Sequence, residues 1–254
     1  MAGELFQGVM QWEFGWKGEK GKIPVFYYDN TSMTAIFTAS SAAVRKLLPR
    51  PEMRPIEVYP SRCLAAFTAF EYRRTDIDSY NEFSISFPVT YGKPMVPGLT
   101  VAMQTASRCF SAYVWQLPVT TEIARLGGVE LYGYPKFLAG IEFRSDPRWL
   151  ECTLAEKGRK ILVLKGRVLP TTKGKAMRYL TYSVKDGIPL VANVVVDPLE
   201  FAQSARGRDA TLELGDHPIA QALRGIGLGR KPLMYQYSPR NEAILFAGRN
   251  LIDS

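Results

Sequence analysis

Apolar and polar residues alternate with a period of two along most of the chain, and only a few stretches carry the wider spacing of a helix. In NEFSISFPVTY (81–91), Phe83, Ile85 and Phe87 alternate with Glu82, Ser84 and Ser86, which predicts a strand with one apolar and one polar face. CLAAFTAFEYR (63–73), LAGIEFR (138–144), WLECTLAEK (149–157), KILVLKGRVL (160–169), MRYLTYSV (177–184) and LVANVVV (190–196) are further strand-like runs. PVFYYDNTSMTAIFTAS (24–40) mixes β-branched and aromatic residues around Asn30-Thr31, so two strands joined by a turn are expected there. ILFAGRNLI (244–252) predicts a final strand. Trp12, Phe14 and Trp16 alternate as an N-terminal edge strand or a subunit contact would.

Helices are few and short. SSAAVRKLLP (40–49) has Ser40 or Ser41 as a cap, an apolar stripe at Val44, Leu47 and Leu48, and a stop at Pro49. TTEIARLGGVEL (120–131) predicts a helix ended by Gly127-Gly128. HPIAQALRGI (217–226) predicts another, beginning near Pro218 with Asp216 as its cap and the lone histidine, His217, as part of the corner. GLTVAMQTASRCFSAYVWQL (98–117) is apolar and fits a strand or a helix. The expected class is therefore mainly β (α+β), a barrel or sandwich with a few short helices, whose interior suits a dry pocket. No repeat, low-complexity tract or linker divides the sequence, which predicts one domain over residues 1–254.

Composition narrows the chemistry. Cys63, Cys109 and Cys152 are far apart, no CxxC pair exists, and with a single histidine a Cys/His metal site is not expected. Spread thiols suit a reducing cytoplasm. The N-terminus lacks a basic start followed by an apolar run, and no apolar stretch reaches the roughly 18 residues of a membrane span, so neither a secretory signal nor membrane insertion is expected. The net charge of +8 attracts anions. No nucleic-acid motif accompanies it, KGRKILVLKGR (157–167) reads as an amphipathic strand, and a carboxylate-bearing substrate fits the charge. Gly225–Lys231 (GIGLGRK) lacks phosphate-loop spacing and reads as a turn.

The informative segment is Glu130-Leu131-Tyr132-Gly133-Tyr134-Pro135-Lys136-Phe137-Leu138-Ala139-Gly140. Pro135 fixes its own backbone and pushes Tyr134 away from helical geometry, so a rigid bend presents one lysine among Tyr132, Tyr134, Phe137 and Leu138. An ordinary lysine, with a pKa of about 10.4, is protonated at neutral pH; a nucleophilic one must be held about three lower, a bias of about 4 kcal/mol that apolar burial can supply. Taken alone, the bend fits either a solvated turn or a buried nucleophile.

Four motifs in order decide between them. Tyr134-Pro135-Lys136, flanked by Glu130-Leu131 and Phe137-Leu138-Ala139, resembles the nucleophile motif of the acetoacetate decarboxylase superfamily. Val44–Pro49, Ser79–Phe83 with Phe87-Pro88-Val89, and Ala210–Pro218 resemble that family's early helix, acidic strand and late strand-to-helix corner. The resemblance spans about residues 25–250. It implies a closed antiparallel β-barrel or cone-like sheet, and Lys136 as a Schiff-base lysine, in a family that is a standing example of an amine activated by desolvation or a neighbouring cation. It further implies decarboxylation of a β-keto acid such as acetoacetate or a relative, with no metal or organic cofactor, a small keto acid or other carbonyl compound as partner, and a homo-oligomeric assembly. The same electron sink serves an aldolase–dehydratase using pyruvate-type substrates, and a non-catalytic small-molecule-binding barrel is the reading from another class. By the resemblance Glu82 handles protons or orients substrate; by its strand pattern alone it is equally an exposed carboxylate. Tyr134 is expected to line the pocket and offer a hydroxyl.

Three positions depart from the family. Phe137 stands where the decarboxylase has a second lysine, Asn30 aligns with its early pocket arginine, and Thr68, with Glu71 close by, aligns with a second pocket glutamate. Asn30, Thr68 and Phe137 are thus expected to line the substrate site with altered recognition, Asn30 being unable to clamp a carboxylate as arginine does. Arg108 and Arg125 are the candidates to replace that arginine.

Overall fold

A strand whose two faces both become buried needs a core on each side, and this architecture supplies two. The computed structural model describes residues 4–16 and 19–252; residues 1–3, 17, 18, 253 and 254, including both ends of the expected 1–254 unit, lie outside the described residues. The chain opens with a hairpin, β1 (Trp12–Trp16) and β2 (Glu19–Ile23), whose strands pair with each other alone in a two-stranded sheet. Then come β3 (Val25–Ser40), α1 (Ser41–Arg45), β4 (Met53–Pro55), β5 (Glu57–Tyr59), β6 (Arg62–Thr75), β7 (Tyr80–Tyr91), α2 (Leu99–Ser107), β8 (Cys109–Gln116) and α3 (Glu122–Tyr132). The second half holds β9 (Gly140–Ser145), β10 (Trp149–Glu156), β11 (Arg159–Arg167), β12 (Met177–Lys185), β13 (Ile188–Ser204), β14 (Ala210–Leu214), α4 (Pro218–Gly225), β15 (Met234–Leu245) and β16 (Arg249–Asn250).

Seven strands, in the order β7-β8-β12-β13-β15-β3-β6, close on themselves through the β6–β7 pairing, so the expected closed barrel is present. Every pairing around it is antiparallel except β8 with β12, which run parallel. A separate four-stranded sheet, β14-β11-β10-β9, packs on the barrel's outer face. Between the two layers lie Phe67, Phe83 and Phe87 from the barrel and Leu154, Leu162 and Leu164 from the sheet, all fully buried. Removing such side chains from water stabilises the fold by about 1.5–3 kcal/mol each. The barrel interior is a second core, with Tyr27, Tyr72, Tyr80, Tyr132 and Tyr134 among its buried residues. No helix among the described residues is long and apolar enough to cross a membrane.

Four expectations change on contact with the structure. Residues 25–40 form one long strand rather than two, because β-bulges at Asp29 and Asn30 absorb what looked like a turn. The bulge also exchanges the faces: Val25 and Tyr27 point into the barrel before it, whereas Met33, Ala35 and Phe37 point out into the inter-sheet core after it. The ambiguous run 98–117 is both elements in turn, α2 and β8, divided at Arg108 in the left-handed conformation (φ 50°). The final strand-like run is split, since Leu245 ends β15 and only Arg249–Asn250 pair again. At α4 the cap is His217 rather than Asp216: its Nδ1 accepts the Ile219 N–H at 3.2 Å, while Nε2 faces Glu156 at 2.9 Å. The cap at α1 is Ser40, as one of the two expected options, accepting the Ala43 N–H.

The bulge is locked by a reciprocal amide pair. Asn30 Nδ2 donates to the Asn241 carbonyl at 3.1 Å, and Asn241 Nδ2 donates to Asn30 Oδ1 at 3.1 Å. Both residues are buried, so losing the Asn241 amide leaves the Asn30 Oδ1 without its donor while Asn30 Nδ2 keeps the Asn241 backbone carbonyl, and an unpaired buried acceptor costs more than the bond itself contributes. Asn241→Ala is therefore expected to lower stability by about 2–3 kcal/mol, read as a lower urea midpoint at unchanged m-value; a change below 0.5 kcal/mol (~) would show that water replaces the amide.

Candidate active site

Lys136 is delivered to the barrel interior by three local devices. Helix α3 stops at Gly133 in the left-handed conformation (φ 61°), which glycine adopts without the penalty a Cβ would bring. The Tyr134 N–H donates back to the Gly128 carbonyl at 3.0 Å, and the Lys136 N–H donates to the Tyr134 carbonyl across Pro135, a tight three-residue turn. Residues 135–139 then run alongside residues 117–119, with Val119 N–H donating to the Phe137 carbonyl and Ala139 N–H to the Val119 carbonyl. Val119 in turn bridges Glu82 on β7. This register sets the lysine and the glutamate side by side although 54 residues separate them.

The result is a buried ion pair. Lys136 Nζ lies 2.7 Å from Glu82 Oε2, with side-chain exposures of 5% and 9%. Around it stands a wall of phenols. The Tyr72 hydroxyl donates to Glu82 Oε1 at the long distance of 3.5 Å, the Tyr80 ring centroid is 5.6 Å from Nζ, and the rings of Tyr27, Tyr72 and Tyr80 pack at 4.5–4.7 Å. Burial, with the Glu82 charge second, pushes the Tyr27, Tyr72 and Tyr80 hydroxyls well above the ordinary phenol range, so they are donors rather than phenolates.

The stem of the lysine lies against bare backbone. A Cβ at Gly128 would come within 2.3 Å of Lys136 Cδ and 2.5 Å of Cε, so only glycine leaves the channel open. Gly127-Gly128, expected to end the helix, instead sits within it, and the helix runs on to Tyr132. The reason is packing: the missing side chain at Gly128 admits the lysine, whereas the helix end is set by Gly133.

The predicted residues separate into two groups. Lys136, Glu82 and Tyr134 are together in the barrel core, with the Tyr134 hydroxyl 2.6 Å from Thr181 Oγ1. Phe137 faces the other way into the inter-sheet core, because neighbouring residues of an extended segment point to opposite sides. Asn30 has its amide engaged by Asn241. Thr68 lies on the barrel-lining face with its hydroxyl 3.0 Å from that of Thr34, one cross-strand pair beyond Phe70, which stands opposite Glu82. Glu71 faces outward and pairs with Arg73, and Arg125 pairs with Glu122 on the surface. Tyr72, Tyr80 and Gly128 were missed by the sequence reading. The period-two pattern could have found Tyr80, which shares its strand face with Glu82.

A cavity of about 20 Å³ adjoins the lysine, lined by Phe14, Tyr27, Ile123, Leu131, Tyr132 and Tyr134 among others. Lys136 is the only charged side chain among the described residues that line it.

Comparison with known proteins bears on the family and the fold. Residues 16–238 match the family model described as acetoacetate decarboxylase. No curated protein matches the chain. Among solved structures, acetoacetate decarboxylase from Legionella pneumophila subsp. pneumophila str. Philadelphia 1 superposes with a TM-score of 0.64 at 13% identity, covering 90% of this chain and 87% of that one. The enduracididine biosynthesis enzyme MppR, complexed with the condensation product of pyruvate and imidazole 4-carboxaldehyde, gives 0.63 at 13% identity, covering 89% and 88%. An acetoacetate decarboxylase-like enzyme from Sphingomonas wittichii RW1 gives 0.51 at 16% identity, covering 89% and 92%. At these identities the solved structures establish the fold.

Breaking a buried pair costs more than replacing it whole, because the surviving partner is left in an apolar site. Glu82→Leu alone is expected to destabilise the protein by about 3–5 kcal/mol, and the double variant Lys136→Met/Glu82→Leu to recover most of that. Urea denaturation of the two variants tests this; equal stability of single and double would show that the pair is solvated in solution.

Proposed function

The chain belongs to the acetoacetate decarboxylase family, and from that premise we propose that it is a Schiff-base-forming lyase acting on a small carbonyl substrate through Lys136. The observation that carries the reading is the buried Lys136–Glu82 pair at 2.7 Å. An isolated ion pair in an apolar interior forfeits the hydration of both groups. The short hydrogen bond gives the amine an acceptor to which it can pass a proton as it attacks a carbonyl.

The chemistry then follows in steps. The amine nitrogen adds to the substrate carbonyl carbon and gives up one proton to the oxygen, Glu82 as its acid supplies the second, and the oxygen departs as water to leave the protonated C=N bond. A β-keto acid held as its protonated imine loses CO2: the C–C bond breaks and its electron pair moves into the C=N system, giving an enamine. Protonation of the enamine carbon and hydrolysis by water release the ketone and restore the amine. The apolar walls favour this step, since they hold a carboxylate poorly and a neutral CO2 well. The neutral phenols of Tyr72 and Tyr80 keep Glu82 within a hydrogen-bonding and apolar setting without adding a competing charge.

A second reading, an aldolase–dehydratase using pyruvate-type substrates, draws support from the similarity in fold to MppR, complexed with the condensation product of pyruvate and imidazole 4-carboxaldehyde. The two share the imine and differ in how the enamine forms and what it does next. In the second, the carbon beside the protonated imine loses a proton to give the enamine, whose carbon attacks an aldehyde, and water is then lost to give an enone.

Borohydride reduction in the presence of a carbonyl panel, followed by peptide mass spectrometry, is expected to place an adduct on Lys136 that disappears in Lys136→Met. Absence of any adduct across the panel would leave a binding barrel without Schiff-base chemistry. Gly128→Ala is expected to cut adduct formation at least tenfold (~) by displacing the lysine stem, with circular dichroism unchanged, since alanine is the better helix former. Assaying CO2 release against enone absorbance then decides between the two reactions.

A further inference from the structure

The walls of the cavity beside Lys136 carry information about the part of the substrate that does not react. Opposite the lysine stand Phe14 from hairpin strand β1 and Ile123 and Leu131 from α3, with Val25 and Leu245 from the barrel. Phe14 is seated over glycine: a Cβ at Gly21, its cross-strand partner, would lie 2.7 Å from Phe14 Cζ. A Cβ on the helix at Gly127 would lie 4.0 Å from the same atom. The ring therefore closes the space between the hairpin and α3, and the cavity it leaves, about 20 Å³, has room for roughly one water molecule.

One polar atom in this wall is unspent. The Tyr132 side chain lines the same cavity, and its hydroxyl is buried and has no hydrogen-bond partner among the described residues. A buried hydroxyl without a partner forfeits about 1–3 kcal/mol, and a ligand oxygen in the cavity would recover it. Burial pushes the Tyr132 phenol upward, so it is present as a donor.

On the reading that Lys136 forms the imine, we infer that the substrate is a carbonyl compound whose non-reacting substituent is apolar and uncharged, that Phe14 sets the length of substituent admitted, and that Tyr132 donates a hydrogen bond to a substrate oxygen. A charged tail has no counter-charge here, because every lining side chain among the described residues other than Lys136 is apolar, aromatic or glycine. The protonated imine does carry a charge, but it sits at the reacting carbon and not at the far end of an extended substituent. Because the closed cavity holds about one water, a substituent longer than a methyl group enters only as the Phe14 ring turns aside, and each methylene then buried against Phe14, Ile123 and Leu131 contributes about 0.8 kcal/mol.

The matched probes are hexan-2-one and 5-oxohexanoate, which differ only by a methyl in place of a carboxylate at the far end, with acetone and pyruvate as short references. Initial rates of borohydride-trapped adduct on Lys136 of the full chain are expected to be about tenfold or more higher for hexan-2-one than for 5-oxohexanoate. Phe14→Ala, with Phe14→Leu as the milder change, is expected to raise the octan-2-one to acetone ratio several-fold. Tyr132→Phe is expected to lower trapping of every ketone several-fold without lowering the melting temperature, since that hydroxyl has no partner to lose in the unliganded protein. Equal or faster trapping of 5-oxohexanoate, or a chain-length profile that both Phe14 variants leave unmoved, overturns the inference. Labelling by acetone or pyruvate but by neither six-carbon ketone overturns it while the Schiff-base reading stands. No labelling by any probe removes both.

Discussion

A primary amine and a carboxylate, 2.7 Å apart and almost wholly withdrawn from water, set the terms for everything around them. Coulomb attraction alone does not hold such a pair in an apolar interior, because the hydration lost by each charge is comparable with what they recover from one another. The surroundings must either finance the charges with hydrogen bonds or let a proton cross between them. Here the hydrogen bonds are sparse: a single long one from Tyr72 reaches Glu82, and a ring face rather than a dipole meets the ammonium. A pair so lightly supported among the described residues costs the fold stability rather than adding to it.

The fold can be understood as the scaffold that imposes this pairing. Glu82 comes from a barrel strand, but Lys136 does not; it sits in the extended segment after α3, tied through residues 117–119 to the strand that carries the glutamate. The second sheet presses on the barrel from outside and leaves its interior to the tyrosines. Division of labour between the two cores follows: the aliphatic and phenylalanine-rich layer holds the two sheets together, and the tyrosine-rich interior encloses the ion pair.

Much of this was legible in the sequence, and the failures have physical causes. Period-two alternation placed most strands and set Glu82 apart from Phe83, yet it could not say that the polar face would line a barrel instead of meeting water. Glu82, Ser84 and Ser86 point inward, so the reading of an exposed carboxylate was lost to closure of the sheet, a long-range event. Gly127-Gly128 carried a true signal with the wrong meaning, since a glycine pair marks both helix ends and close approaches. Asn30 aligned with a pocket arginine, but its neighbour across the sheet, Asn241, lies 211 residues away and captures the amide. The replacement at position 137 was weighed as a loss of positive charge beside the nucleophile. Backbone alternation turns that side chain out of the barrel altogether, so position 137 is part of the packing between layers.

The hairpin that brings Phe14 to the site is an appendage in topology: its strands hydrogen-bond only to each other, and the barrel closes without them. Exchange of the hairpin would therefore reshape the wall that Phe14 provides and leave untouched the segments that hold Lys136 and Glu82, so the cover over the cavity and the floor beneath it are free to vary independently.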